Sequence, residues 1–182
     1  MAKAITVDIN KCLACKSCEI ACALAHSESG VLEDAISEHP APRSRVAVEA
    51  AGEFGVPMQC RHCEDAPCIT VCPTKAIARQ SPESPVLIDQ DLCIGCKFCL
   101  VVCPFGVIGF SGGGKMMVKC DLCIERLTDG RQPACVEACP TKALMLADEK
   151  DLATDNRRLA ARELVASVEK SGKKRRSKEN TQ

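Results

Sequence analysis

Apolar and polar positions alternate in AITVDINKC (residues 4–12) and again in PVLIDQDLC (85–93), and in both an Asp stands four residues before a cysteine. The alternation and its β-branched residues predict two short strands, each turning into a loop. CPTKAI (72–77) and CPTKAL (139–144) are near duplicates. Together these pieces describe a copied unit of strand, loop, short helix, Cys-Pro and strand. Two stretches fall outside it. HPAPRSRVAVEA (39–50) reads as a proline-stiffened loop and a strand. DLATDNRRLAARELVASVEK (151–170) reads as an amphipathic helix with Leu159, Leu164 and Val168 on one face.

Composition changes this picture, because 182 residues with four Phe, no Trp and no Tyr cannot build an aromatic core, and 16 cysteines stand ready to replace it. No charged-then-apolar leader opens the chain, and CLVVCPFGVIGF is far short of the roughly 20 residues of a membrane span. The expectation is a cytoplasmic protein, in which metal ligands are favoured over disulfides. Charge is balanced overall, with 24 basic and 24 acidic residues. SGKKRRSKENTQ (171–182) reads as a solvated, disordered basic tail, so no nucleic-acid partner is expected.

The cysteines fall into four groups of four: Cys12, Cys15, Cys18, Cys22; Cys60, Cys63, Cys68, Cys72; Cys93, Cys96, Cys99, Cys103; and Cys120, Cys123, Cys135, Cys139. In the first and third groups the spacing is C-x2-C-x2-C-x3-C, which wraps three thiolates round a 4Fe–4S cluster and sends the fourth to a neighbouring cluster. Zinc uses separated pairs, so a closely spaced third cysteine does not suit it. Disulfides explain neither the triplets nor the Cys-Pro steps. Four 4Fe–4S clusters are therefore expected. His26, His39 and His62 find no ligand vacancy. His62 is either a hydrogen-bond partner of its cluster or a surface residue; Lys16, Lys97 and Lys119 either offset the clusters' negative charge or, by default, are solvated. GFSGGGKM (109–116) lacks the Ser/Thr that a P-loop needs after its Lys, and reads as a glycine hairpin.

Between Cys72 and Cys93 lie 20 residues, the length of the strand, turn and strand inside one two-cluster ferredoxin. Residues 56–111 are then an inner ferredoxin-like unit, and 1–30 with 112–150 an outer one, its strand at 4–8 able to pair with KALML. Residues 31–55 are an insert. The fold class is α+β: two nested, loop-rich units held by clusters, with a C-terminal helix at 151–170. Nesting assigns Cys12, Cys15, Cys18 and Cys139 to cluster one, and Cys60, Cys63, Cys68 and Cys103 to cluster two. Cluster three takes Cys93, Cys96, Cys99 and Cys72, and cluster four Cys120, Cys123, Cys135 and Cys22. Sequential pairing is the competing arrangement.

CRHCEDAPCITVCPTKAI and CDLCIERLTDGRQPACVEACPTKAL resemble the four-cluster electron-transfer subunits of formate dehydrogenases, dimethyl sulfoxide reductase and formate hydrogenlyase. CLACKSCEIACALAHS, with the proline-arginine stretch and CRHCEDAPC, is most similar to the iron–sulfur partner of carbon monoxide dehydrogenase. The small subunit of tungsten aldehyde oxidoreductases is also similar. The resemblance spans residues 4–147 and implies the nested pairing. It further implies a non-catalytic subunit carrying electrons from an oxidoreductase, with carbon monoxide dehydrogenase favoured, to a hydrogenase or flavoprotein. A freely diffusing polyferredoxin is the alternative.

The first group departs from the rest. Ala23 stands where the other fourth cysteines have Pro, so ALAHSES extends the helix towards Gly30 before the insert.

Overall fold

The computed structural model describes residues 3–179 of the 182. It comprises two compact units, Met1–Leu146 and Ala147–Gln182. Its elements are short: β1 (Lys3–Val7), α1 (Ser17–Ala25), α2 (Leu32–Ala35), β2 (Val46–Ala51), β3 (Phe54–Gln59), α3 (Pro67–Thr70), β4 (Ile77–Ala78), β5 (Leu87–Ile88) and α4 (Phe98–Val102). They continue with β6 (Gly109–Phe110), β7 (Met117–Val118), α5 (Ile124–Thr128), α6 (Ala134–Glu137), β8 (Leu144–Asp148) and α7 (Glu149–Glu179). Among the described residues the strands form two-stranded sheets, β1 with β8, β2 with β3, β4 with β5 and β6 with β7.

The duplication read from the flanks is physical. Asp8 donates its N–H to the Ala143 carbonyl at 2.8 Å, and Asp89 donates to Ala76 at the same distance. Each Asp then turns the chain with its own side chain: Asp8 Oδ1 accepts from Asn10 N–H at 3.1 Å and Asp89 Oδ1 from Asp91 N–H at 2.9 Å. Lys75 and Lys142, in the duplicated Cys-Pro-Thr-Lys steps, are both left-handed, at φ 57° and 55°.

Two cores result. One gathers Ile5, Val46, Leu122, Val136, Ala143 and Leu144 with buried cysteines, and the other Ala66, Ile77, Val86, Ile108 and Met117. The sequence boundaries need adjusting. Val46, assigned to the insert, fills the first core. Met117, assigned to the outer unit, fills the second, because the β6–β7 hairpin carries it back over Gly109–Phe110.

Helix α1 stops at Ala25, short of Gly30, despite good helix formers beyond it. Its end is tied from a distance: the Glu38 carboxylate accepts from Glu28 N–H at 3.1 Å and Ser29 N–H at 2.9 Å, drawing those groups out of the helical ladder. The insert, with residues 56–59 beyond its expected end, then forms a hairpin, β2–β3, held to α1 by Val48 N–H donating to Glu19 at 2.6 Å.

In the second unit, α7 is longer at both ends than 151–170 and takes in most of the basic segment read as a tail; residues 180–182 of that segment lie outside the described residues. The expected apolar face does not form a buried stripe. Leu159, Leu164 and Val168 are all exposed, three apolar residues being too few to cover a face of so polar a helix. No helix among the described residues is long and apolar enough to cross a membrane.

Candidate metal centres

Each cysteine group opens on the same backbone device. The second residue after its first cysteine is left-handed: Ala14 (φ 53°), His62 (φ 48°), Gly95 (φ 67°) and Leu122 (φ 62°). Only one is glycine, and the conformation costs other residues about 1–2 kcal/mol each. Such strain persists where it serves a site, and here it turns backbone N–H groups inward to form an anion-binding concavity. His62 N–H donates to Cys60 Sγ at 3.4 Å, and Leu122 N–H to Cys120 Sγ at 3.4 Å. At Gly95 a side chain would strike the Lys115 carbonyl.

All sixteen cysteines are free thiols. Burial pushes Cys18 up to about 11 and Cys120 up to about 12, and raises Cys135 further. A bound metal would stabilise the thiolate form of such buried cysteines. Cys72 and Cys139 differ: burial acts to raise both, but backbone N–H groups and the hydroxyls of Thr74 and Thr141 outweigh it and lower them.

The groups do not stay separate. Helix α1 packs on α6, and α3 on α4. Cys22 is an electrostatic neighbour of Cys120, Cys123 and Cys135, raising each. Cys139 acts likewise on Cys15, which nevertheless lies low because the Ser17 hydroxyl, 3.4 Å away, holds it down. Cys12 packs against the first core, which contains Cys18, Cys22, Cys135 and Cys139. Cys60, Cys63, Cys68 and Cys103 line one cavity. Cys72 and Cys93 pack against the second core, which contains Cys99, and Cys93 and Cys96 both raise Cys99. The donor set therefore fits 4Fe–4S clusters: thiols in fours, inward N–H groups and little competing chemistry.

The structure decides between the alternatives that the sequence left open for the polar residues beside these thiols. His62 is half-buried, with its Nε2 out of reach of solvent: its Nδ1 accepts from Val86 N–H at 3.1 Å, so Nε2 carries the proton, and that donor has no partner in the protein. It belongs to the same cavity as the Cys60 set, where a cluster sulfur would accept it. His39 stays at the surface, with Nδ1 2.9 Å from the Ser37 carbonyl oxygen. Lys97 stacks 5.4 Å from the Phe110 ring, and the Lys16 side chain is 60% exposed. Lys119 departs most from expectation, being only 4% exposed.

Round Cys22 three segments converge. Arg45 N–H donates to Cys22 Sγ at 3.2 Å, and the Arg45 guanidinium donates to Asp121 at 2.5 Å. His26 Nε2 lies 3.2 Å from Asp121, and its Nδ1 lies 2.7 Å from the Cys22 carbonyl oxygen. Burial alone would lower His26, but hydrogen bonds to Asp121 and Cys22 hold it up at about 9. Burial would raise Asp121, yet His26 and Arg45 keep it well below the usual carboxylate range. The imidazolium thus stabilises the fold fully below about 6.5, and this is lost as pH rises through about 9. Counted once for the pair, the effect is at most on the order of 3 kcal/mol. The melting temperature of the loaded protein is expected to fall between those pH values, and the His26→Gln variant to lose most of that slope.

A profile of the 4Fe-4S dicluster domain family matches residues 53–149, just over half of the chain. The chain belongs to that family. This dicluster-domain protein is 42% identical over 168 residues to an iron-sulfur protein of Rhodospirillum rubrum, covering 86% of itself and 87% of that relative. Electron transport protein HydN of Escherichia coli K12 is 40% identical over 167 residues, with 84% of this chain and 91% of HydN covered. Formate hydrogenlyase subunit 2 of the same strain is 34% identical over 192 residues, covering 87% and 88%. UacF of that strain is 43% identical over 84% of this chain, but the chain spans only 22% of UacF. The dicluster-domain chain is thus a ferredoxin-like 4Fe–4S protein of electron transport.

Proposed function

We propose that this chain is a non-catalytic subunit that carries single electrons through four 4Fe–4S clusters between an oxidoreductase and an acceptor protein. The reading is supported by two observations that suit an exchange of fourth cysteines: Cys22 acts electrostatically on Cys120, Cys123 and Cys135, and Cys103 shares a cavity with Cys60, Cys63 and Cys68. In this reading Cys12, Cys15, Cys18 and Cys139 hold cluster one, and Cys60, Cys63, Cys68 and Cys103 cluster two. Cys93, Cys96, Cys99 and Cys72 hold cluster three, and Cys120, Cys123, Cys135 and Cys22 cluster four. The clusters would supply one-electron chemistry, and the protein spacing, insulation and potential.

Each exchanged cysteine ties two sets together, one to four and two to three. Cys120 is in turn an electrostatic neighbour of Cys60, so the sets adjoin in the order one, four, two, three. Cys15, in the first set, is exposed, as an end of such a series requires. The donor enzyme is carbon monoxide dehydrogenase in our preferred reading, with a tungsten aldehyde oxidoreductase or formate dehydrogenase as competitors and a hydrogenase or flavoprotein as acceptor. Similarity to formate hydrogenlyase subunit 2 supports membership of such a complex.

Anaerobic purification of the tagged chain tests this. The expected product is brown, holds about four irons for each cluster, and brings a catalytic oxidoreductase with it. A colourless chain would remove the clusters. A loaded monomer that carries electrons fully active and unaccompanied would instead make it a freely diffusing polyferredoxin.

A further inference from the structure

Lys119 immediately precedes Cys120 in β7's exit from the hairpin and is 4% exposed. Its ammonium donates to the Val86 carbonyl and, at 3.0 Å, to the Cys120 carbonyl. No carboxylate pairs with it among the described residues. Buried lysines are normally paired with an acid, so this charge needs another counterpart. Its position supplies one. Val86, itself 1% exposed, accepts from Lys119 on its carbonyl and donates its N–H to His62 Nδ1. One buried backbone unit thereby joins the loop of Cys60 and Cys63 to the loop of Cys120. The charge of Lys119 also reaches Cys68 and His62: it opposes the rise that burial imposes on Cys68 and adds to the fall that burial imposes on His62.

We propose that Lys119 is the resident counter-cation at the joint between the two halves, raising the reduction potentials of the clusters held on either side of it, two and four. This rests on the four-cluster reading. Thiolate-ligated clusters are anionic and gain a further negative charge on reduction, so a fixed cation close by favours the reduced state. The effect is strong only where water is excluded, as it is at Val86 and Lys119. In the order one, four, two, three, clusters one and three each stand one place further from Lys119 than clusters four and two.

Potentiometric titration followed by electron paramagnetic resonance, on the full anaerobically loaded chain, decides the matter. Wild type must first show four clusters; failure there sinks the functional reading, not this one. Lys119→Met is expected to shift two clusters to lower potential by at least tenfold in the oxidised-to-reduced ratio, about 59 mV for a one-electron couple. The other two should move less than about twofold. Lys119→Gln keeps an N–H donor for the carbonyls without the charge, and should behave like Lys119→Met. Unchanged potentials, equal shifts in all four clusters, or wild-type potentials in Lys119→Gln would each overturn the proposal. If both neutral variants lose iron, Lys119→Arg decides: loading with wild-type potentials supports the role of charge, and failure to load reduces Lys119 to a matter of shape.

Discussion

Stripping the iron from this chain is expected to abolish its cooperative unfolding transition. The four Phe residues, Phe54, Phe98, Phe105 and Phe110, are all exposed, and the largest fully buried side chains are led by Met117, Leu144, Gln59 and Val86. Three of the four sheets lean on strands as short as two residues or on a hairpin of the insert. Cores of this size rarely supply more than about 3–5 kcal/mol. Structural metal sites, by comparison, contribute on the order of 10 kcal/mol each to folding, because the unfolded chain has no preformed site. Chelation under mild oxidation, followed by calorimetry and circular dichroism, should show a broad, non-cooperative melt. A sharp two-state transition in the iron-free chain would show that side-chain packing alone holds the fold.

Replacing Cys22 with Ser is expected to damage the cluster of the fourth group, not that of the group in which Cys22 lies. Cys22 is buried and is an electrostatic neighbour of Cys120, Cys123 and Cys135; Arg45 N–H holds its sulfur from another segment, and His26 holds its carbonyl from the end of its own helix. The spectrum of Cys22→Ser should therefore lose the same signal as Cys135→Ser and keep the one lost in Cys12→Ser. Iron should drop by roughly a quarter, about four atoms from about sixteen. If Cys22→Ser instead matches Cys12→Ser, the crossed pairing is wrong and each group binds its own cluster.

Much of the fold was written in local chemistry and so could be read from it. The alternating strand before Asp8 or Asp89, the side-chain turn at each Asp, and the glycine hairpin before Met117 are decided within a few residues. What escaped depends on partners far along the chain. Just beyond the end of helix α1, Glu38, ten residues past Glu28, captures the N–H groups of Glu28 and Ser29. Strand β3 contains Gly55 and Pro57, and is held in register by β2 rather than by its own preference. Lys119 reads as a surface residue by type, and only the convergence of Val86 and Cys120 buries it. Asp121 carried a weak local signal, since it caps the turn to Cys123 N–H at 2.9 Å, but nothing near it announces His26 or Arg45.

The pairing of β1 with β8 also imposes an order of birth. Lys3–Val7 leaves the ribosome well before its partner, Leu144–Asp148. Every residue of the core around Ile77, Val86 and Met117 emerges in between, so that core can close while the amino-terminal strand still waits. During that wait Cys12, Cys15, Cys18 and Cys22 are exposed thiols in a nascent chain, open to oxidation or to the wrong metal. The chain's newest copies are therefore the ones most vulnerable to oxygen, at cysteines made well before the strand that completes their core.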